Sequence, residues 1–260
     1  MTEAIQIPLQ TSAGELYGVQ YIVNAAMPTI VFLHDSLGCI TLWRNFPERL
    51  AVLTGCNALV YDRKGYGKSI PFSNKERNND YLEQEADILA AILDNCNIEQ
   101  AILFGHSDGG SIALIAAAKY PVHIKAIITE GAHIFVEEIT LQGIRNAQHD
   151  WQTTNLKKKL EKYHGEKTEA VFHAWTNTWL SDEFRNWNIE SFLPSVTCPV
   201  LIIQGEHDEF GSMEQVNGIL NLVAGNAVSL IIPSATHTPH KEAIEIVLQK
   251  TASFIRQLFP

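Results

Sequence analysis

The feature that most constrains this chain is Gly105-His106-Ser107-Asp108-Gly109-Gly110, set between the apolar strand pattern Ala101–Phe104 and the alanine-rich run SIALIAAAKY. A strand that turns sharply into a helix holds its apical residue in a strained backbone conformation. That is tolerable only if the residues two before and two after lack side chains. Gly105 and Gly109 meet this demand around Ser107. The turn lifts the hydroxyl out at the carboxyl end of a sheet and leaves backbone N–H groups at a helix start beside it. G-x-S-x-G alone is a weak signal, because glycine-rich turns often contain serine. Between a strand and a helix it is a strong one.

The rest of the chain supplies the sheet that such a turn needs. Strand patterns fall at Glu15–Val23, Thr29–Leu33, Ala58–Tyr61, Ala101–Phe104, Ile124–Thr129, Val200–Ile203 and Val228–Ile232. Helical spacing occupies Leu42–Leu53, Tyr81–Cys96, Ser107–Lys119, Met213–Val223 and Lys241–Leu258. Wholly apolar strands alternating with helices predict a mostly parallel sheet covered on both faces. The N-terminal pair of strands has no intervening helix, which predicts an antiparallel hairpin at one edge. Between residues 134 and 194 the rhythm breaks into successive helical patterns, with four of the five tryptophans: Trp151, Trp175, Trp179 and Trp187. Val171, Phe172, Trp175 and Trp179 share one helical face, as the core of a helical insertion or as the inner wall of a lid.

A serine hydroxyl needs a base, and the base needs a carboxylate to fix its tautomer. Asp208 follows strand PVLIIQ in Gly205-Glu206-His207-Asp208, and His237 follows strand VSLIIP in Ser234-Ala235-Thr236-His237. Serine, acid and histidine thus stand at successive strand ends in a usable order. Glu206 and Glu209 compete with Asp208 for the acid role. His240 competes with His237, although a capping or pocket-lining place at the start of the last helix suits it better. Glu130 ends another strand, from which its carboxylate could reach the site. The histidines near strand ends lack the spacing of a metal site. Gly65-Tyr66-Gly67-Lys68-Ser69 fails the phosphate-loop spacing because Asp62 stands where the first glycine belongs.

Composition narrows the partners. A formal net charge of −10 disfavours nucleic acid and anionic membrane. The chain shows no apolar run of the roughly 18 residues that cross a bilayer, and its first residues, MTEAIQIPLQ, lack the pattern of a secretory leader. Cys39, Cys56, Cys96 and Cys198 are scattered without C-x-x-C pairing, so we read them as reduced thiols of a cytoplasmic protein.

Taken together, these motifs resemble the α/β-hydrolase fold. Asp62-Arg63-Lys64-Gly65-Tyr66-Gly67-Lys68-Ser69 is similar to its D-x-R-G-x-G-x-S segment, and His34-Asp35-Ser36-Leu37-Gly38 is similar to its oxyanion loop. Asp35 replaces the usual glycine there. GHSDGG with ALIAAAKYP, followed by Gly143, Arg145 and Trp151, is similar to the biphenyl hydrolase-like, or valacyclovirase, branch.

The resemblance implies an eight-stranded core from residues 1–133 and 195–260, with a helical cap over 134–194. It also implies a serine hydrolase without a cofactor, acting on a small-molecule ester. Ser107 is then the nucleophile, His237 the base and Asp208 its partner, with oxyanion donors at the N–H groups of Ser36 and Asp108. In that branch the serine-adjacent aspartate is implicated in holding a substrate ammonium, and Asp108 occupies that position. Glu130 is expected to add negative charge, and Trp175 and Trp179 to line the pocket. A lactone, thioester, amide or C–C bond as substrate, a cofactor-free haloperoxidase activity, a non-catalytic binding module and a homodimer all stay open.

Overall fold

The inner strands form around runs of apolar side chains that are buried on both faces. The computed structural model describes residues 3–72 and 77–259. Its strands are β1 (Ala4–Thr11), β2 (Gly14–Tyr21), β3 (Thr29–Leu33), β4 (Asn57–Tyr61), β5 (Ala101–His106), β6 (Ile124–Glu130), β7 (Val200–Gly205) and β8 (Ala227–Ile232). They make one eight-stranded sheet in the order β1-β2-β4-β3-β5-β6-β7-β8. β3 to β8 run parallel, and the pairs β1–β2 and β2–β4 are antiparallel.

An edge hairpin is present, but its first strand is Ala4–Thr11, which the sequence patterns did not include. Thr29–Leu33 instead lies inside the sheet, between β4 and β5. β1 alternates polar and apolar residues, and only Leu9 along it is fully buried.

Side chains alternate across the sheet into two cores. Val31, Leu33 and Leu103 join the layer of α2 (Tyr81–Asn95) and α3 (Asp108–Lys119). Ile30, Phe32 and Phe104 face the opposite layer, with residues of α1 (Phe46–Thr54) and of the C-terminal helix. The expected helix Leu42–Leu53 is a short 3-10 turn, Ile40–Trp43, followed by α1. Pro47 sits in the first turn of α1, where its missing N–H costs nothing, and Gly55 ends the helix at φ 75°.

Between β6 and β7 lie α4 (Glu138–Thr153), α5 (Leu156–His164) and α6 (Thr168–Trp179). After β7 come α7 (Met213–Leu222), α8 (Pro239–Glu242) and α9 (Ile244–Leu258). No helix among the described residues is long and apolar enough to cross a membrane. The loops after β3, β5, β6, β7 and β8 all leave from the carboxyl end of the parallel strands, where open α/β sheets place their ligands.

Candidate active site

Ser107 stands between β5 and α3 at φ 55° and ψ −121°, in the left-handed half of backbone space. Such a conformation costs a non-glycine residue about 1–3 kcal/mol and persists only where its surroundings enforce it. Here they do. A Cβ on Gly105 would lie 2.1 Å from the Gly109 carbonyl oxygen, and one on Gly109 would lie 2.0 Å from that of Leu33. The glycines two before and two after the serine are therefore required by close backbone approach. The Ser107 N–H donates to the Glu130 carbonyl at 2.8 Å, which extends the β5–β6 ladder into the turn.

Asp208 and His237 meet as the sequence order implied. His237 Nδ1 lies 2.9 Å from each Asp208 carboxylate oxygen. The carboxylate is fixed from its far side: Gln204 Nε2 donates to Oδ2 at 2.8 Å, and the Phe210 and Gly211 N–H groups donate to Oδ1 at 2.8 and 3.2 Å. Burial alone would raise Asp208, but His237 and the Phe210 N–H hold it below the usual aspartate value. Burial likewise opposes charge on His237, yet Asp208 raises it above the ordinary histidine value. Gly131, at φ 58°, leaves room for the imidazole; a Cβ there would come within 2.8 Å of His237 Cε1.

Ser107 and His237 line one cavity of about 190 Å³, with Ser36, Asp108, Trp175 and Trp179 also in its wall. That volume equals roughly six water molecules in the liquid. Trp175 and Trp179 both come from α6.

The loop after β3 is fixed by its carbonyls. Three donors converge on the Asp35 carbonyl oxygen: His34 Nδ1–H at 2.8 Å, the Gly38 N–H at 3.1 Å and Arg63 Nη2 at 3.0 Å. The Arg63 N–H donates to His34 Nε2, which leaves the proton of that ring on Nδ1. Burial, then Arg63, keeps His34 well below its ordinary value and so neutral. In a trans peptide the N–H points opposite to the C=O. The Ser36 N–H, in the same peptide as the Asp35 carbonyl, is turned away from those three donors. The Asp108 N–H opens α3, where first-turn N–H groups lack helical partners.

One carboxylate sits differently from expectation. Glu130 does not line the cavity. It is fully buried, and its Oε1 accepts from the His240 N–H at 2.8 Å and from His240 Nδ1–H at 2.9 Å. The His240 ring packs 4.7 Å from Trp43, and it is His237, not His240, that lines the cavity. Asp108 lines the cavity. Its Oδ2 accepts from the Tyr81 hydroxyl at 3.1 Å and lies 3.6 Å from Arg63 Nη2. Tyr81 in turn accepts from Trp179 Nε1 at 2.9 Å.

Arg63, Tyr81 and Gln204 were missed as site residues by sequence reasoning. A charged residue just after strand NALVY and a glutamine closing the apolar run VLII were the available signals. His133, one of the histidines near strand ends, lines the cavity, donates through Nε2 to the Phe210 carbonyl at 3.0 Å and packs 5.2 Å from Trp179.

A family model described as the alpha/beta hydrolase fold matches residues 28–192. Serine hydrolase BPHL of Mus musculus is 31% identical over 188 residues, covering 70% of this chain and 63% of that protein. The chain thus matches less than two thirds of that relative's length. The 2-hydroxy-6-oxononadienedioate/2-hydroxy-6-oxononatrienedioate hydrolase of Klebsiella pneumoniae is 29% identical over 229 residues, covering 78% of each chain. Among solved structures, the 2-hydroxy-6-oxo-6-phenylhexa-2,4-dienoate hydrolase of Rhodococcus sp. strain RHA1 superposes with a TM-score of 0.76 at 13% identity, covering 96% of this chain and 99% of that one, a likeness of fold. The chain belongs to the alpha/beta hydrolase fold family and is similar to its biphenyl hydrolase-like branch.

Proposed function

We propose that this chain is a serine hydrolase that cleaves a small carboxylic ester through an acyl-enzyme. The observation that carries the reading is the Asp208–His237 pair at the cavity that also holds the strained Ser107. With its Nδ1 proton held by Asp208, neutral His237 offers Nε2 as the base. It takes the Ser107 proton as Oγ attacks the acyl carbon, and the carbonyl oxygen becomes an oxyanion facing the N–H groups of Ser36 and Asp108. His237 then protonates the leaving alkoxide and later activates water to release the acid. Residues 134–194 act as the cap, with Trp175 and Trp179 shaping the acyl pocket and excluding water.

A narrower reading, an ester with an ammonium group on its acyl part, has its own support. Asp108 Oδ1 and His133 Nδ1 are buried acceptors without a partner among the described residues, and both side chains belong to cavity-lining residues. Both atoms lie beneath the cavity surface, so a substrate ammonium meets them only where the side chains turn toward it. Arg63 beside Asp108 offsets part of the charge such a donor would meet. Hydrolysis of a C–C bond could use the same three groups, as the names of some relatives suggest.

The test is a panel of p-nitrophenyl esters with and without an α-amino group, run beside a 2-hydroxy-6-oxodienoate. Asp108→Ala should lower kcat/KM for the amino esters by about ten- to a hundredfold more than for neutral ones. Equal losses on both would remove the ammonium reading. Turnover of the dienoate alone would replace ester cleavage by C–C cleavage.

A further inference from the structure

The structure assigns Arg63 as a positioning residue that fixes both halves of the oxyanion hole from behind. This rests on the serine hydrolase reading and adds to it a buried cation that never touches substrate. In the D-x-R-G-x-G-x-S pattern the guanidinium stands at x, and Lys64 takes the arginine's place.

Three contacts make the case. Arg63 Nη2 donates to the Asp35 carbonyl at 3.0 Å, the oxygen of the peptide that carries the Ser36 N–H. The same nitrogen lies 3.6 Å from Oδ2 of Asp108, the residue that carries the second N–H. The Arg63 backbone N–H fixes the His34 tautomer, and His34 then donates to the same Asp35 oxygen. One side chain thus ties the loop after β3 to the first residue of α3.

Both side chains of the ion pair are fully buried. Burying a guanidinium is costly, and both residues that its Nη2 meets, Asp35 and Asp108, line the cavity. Arg63 Nε and Nη1 have no partner among the described residues, so the group is not placed there to satisfy its own donors. What it does satisfy is the peptide oxygen that must point away from the cavity for the Ser36 N–H to point the other way.

The test uses full-length Arg63→Gln and Arg63→Lys with p-nitrophenyl acetate, plus the rate of inactivation by a fluorophosphonate. Gln removes the charge; Lys keeps it but lacks the planar fork. Both should lower kcat by about ten- to a hundredfold, somewhat less than loss of an oxyanion donor outright. Inactivation should slow in parallel, because phosphonylation needs the same hole. KM should stay within about threefold, and the acid limb of the pH profile should not move, because the Asp208–His237 pair is untouched.

A kcat within about twofold of wild type in both variants would overturn the assignment. So would a loss in which kcat, KM and the acid limb all shift together with melting temperature, since that marks a purely structural residue. If Arg63→Gln does not fold, Arg63→Lys decides alone by the same criteria. Wild-type protein that resists the fluorophosphonate would overturn the underlying reading and this one with it. Normal wild-type labelling with unchanged variants would overturn this one only.

Discussion

His237 is held between two opposing demands: burial disfavours its charge, and Asp208 favours it more. Its pKa is raised above the ordinary histidine value, so as a base it loses its proton only at higher pH. The kcat/KM profile should therefore fall on the acid side with a midpoint above that of a free imidazole. Asp208→Asn removes the carboxylate that raises the ring. That variant should lose several orders of magnitude in kcat, and the limb of its residual activity should move to lower pH. A midpoint at or below that of a free imidazole in wild type would contradict the pairing.

The same shifts fix a stability window. The contribution of His237 is full below its unfolded value and is lost as pH rises through the raised folded one. That of Asp208 is present above its unfolded value and is lost as pH falls through the depressed folded one. Melting temperature should therefore respond to Asp208→Asn most strongly in the interval between the two unfolded values.

α2, α3 and α6 meet through one hydrogen-bonded chain, from Trp179 Nε1 to the Tyr81 hydroxyl and from Tyr81 to Asp108 Oδ2. Burial, reinforced by Asp108, raises the Tyr81 phenol well above its ordinary value and keeps it a donor. The wall that Trp179 lends to the pocket is thereby tied to the residue after the nucleophile. Tyr81→Phe should raise KM for bulky esters by about three- to tenfold, and Trp179→Phe added to it should cost little more. Double-mutant cycles on kcat/KM would show this as coupling of about 0.5–3 kcal/mol; strictly additive losses would mean the two contacts are independent.

This chain of contacts was not legible in the sequence, because Tyr81 lies 98 residues from Trp179 and 27 from Asp108. The helices were legible, apart from their ends. The expected Lys241–Leu258 begins at Ile244, after the short turn Pro239–Glu242. β1 escaped notice because an exposed edge strand carries too few apolar residues to read as one.

Across the whole molecule, what was legible is what strand ends dictate. Each of Ser107, Asp208 and His237 follows an apolar run, so the parallel sheet brings their loops together without further information. Partners that depend on side-chain direction were not. Glu130 also ends a strand, but it turns to His240, 110 residues on, and leaves the cavity. Asp108 is adjacent to the nucleophile in sequence, yet its carboxylate is shared by Arg63 and Tyr81, which no spacing rule connects to it.

The central claim is that this fold converges on Ser107 as a nucleophile. It is tested most directly by treating the protein with a fluorophosphonate and locating the adduct by peptide mass spectrometry, beside Ser107→Ala. The account predicts one phosphonyl group, on Ser107, with loss of esterase activity in proportion to labelling, and a Ser107→Ala protein that folds but neither labels nor turns over ester. An adduct on another residue, or more than about a tenth of the activity surviving in Ser107→Ala, would contradict it.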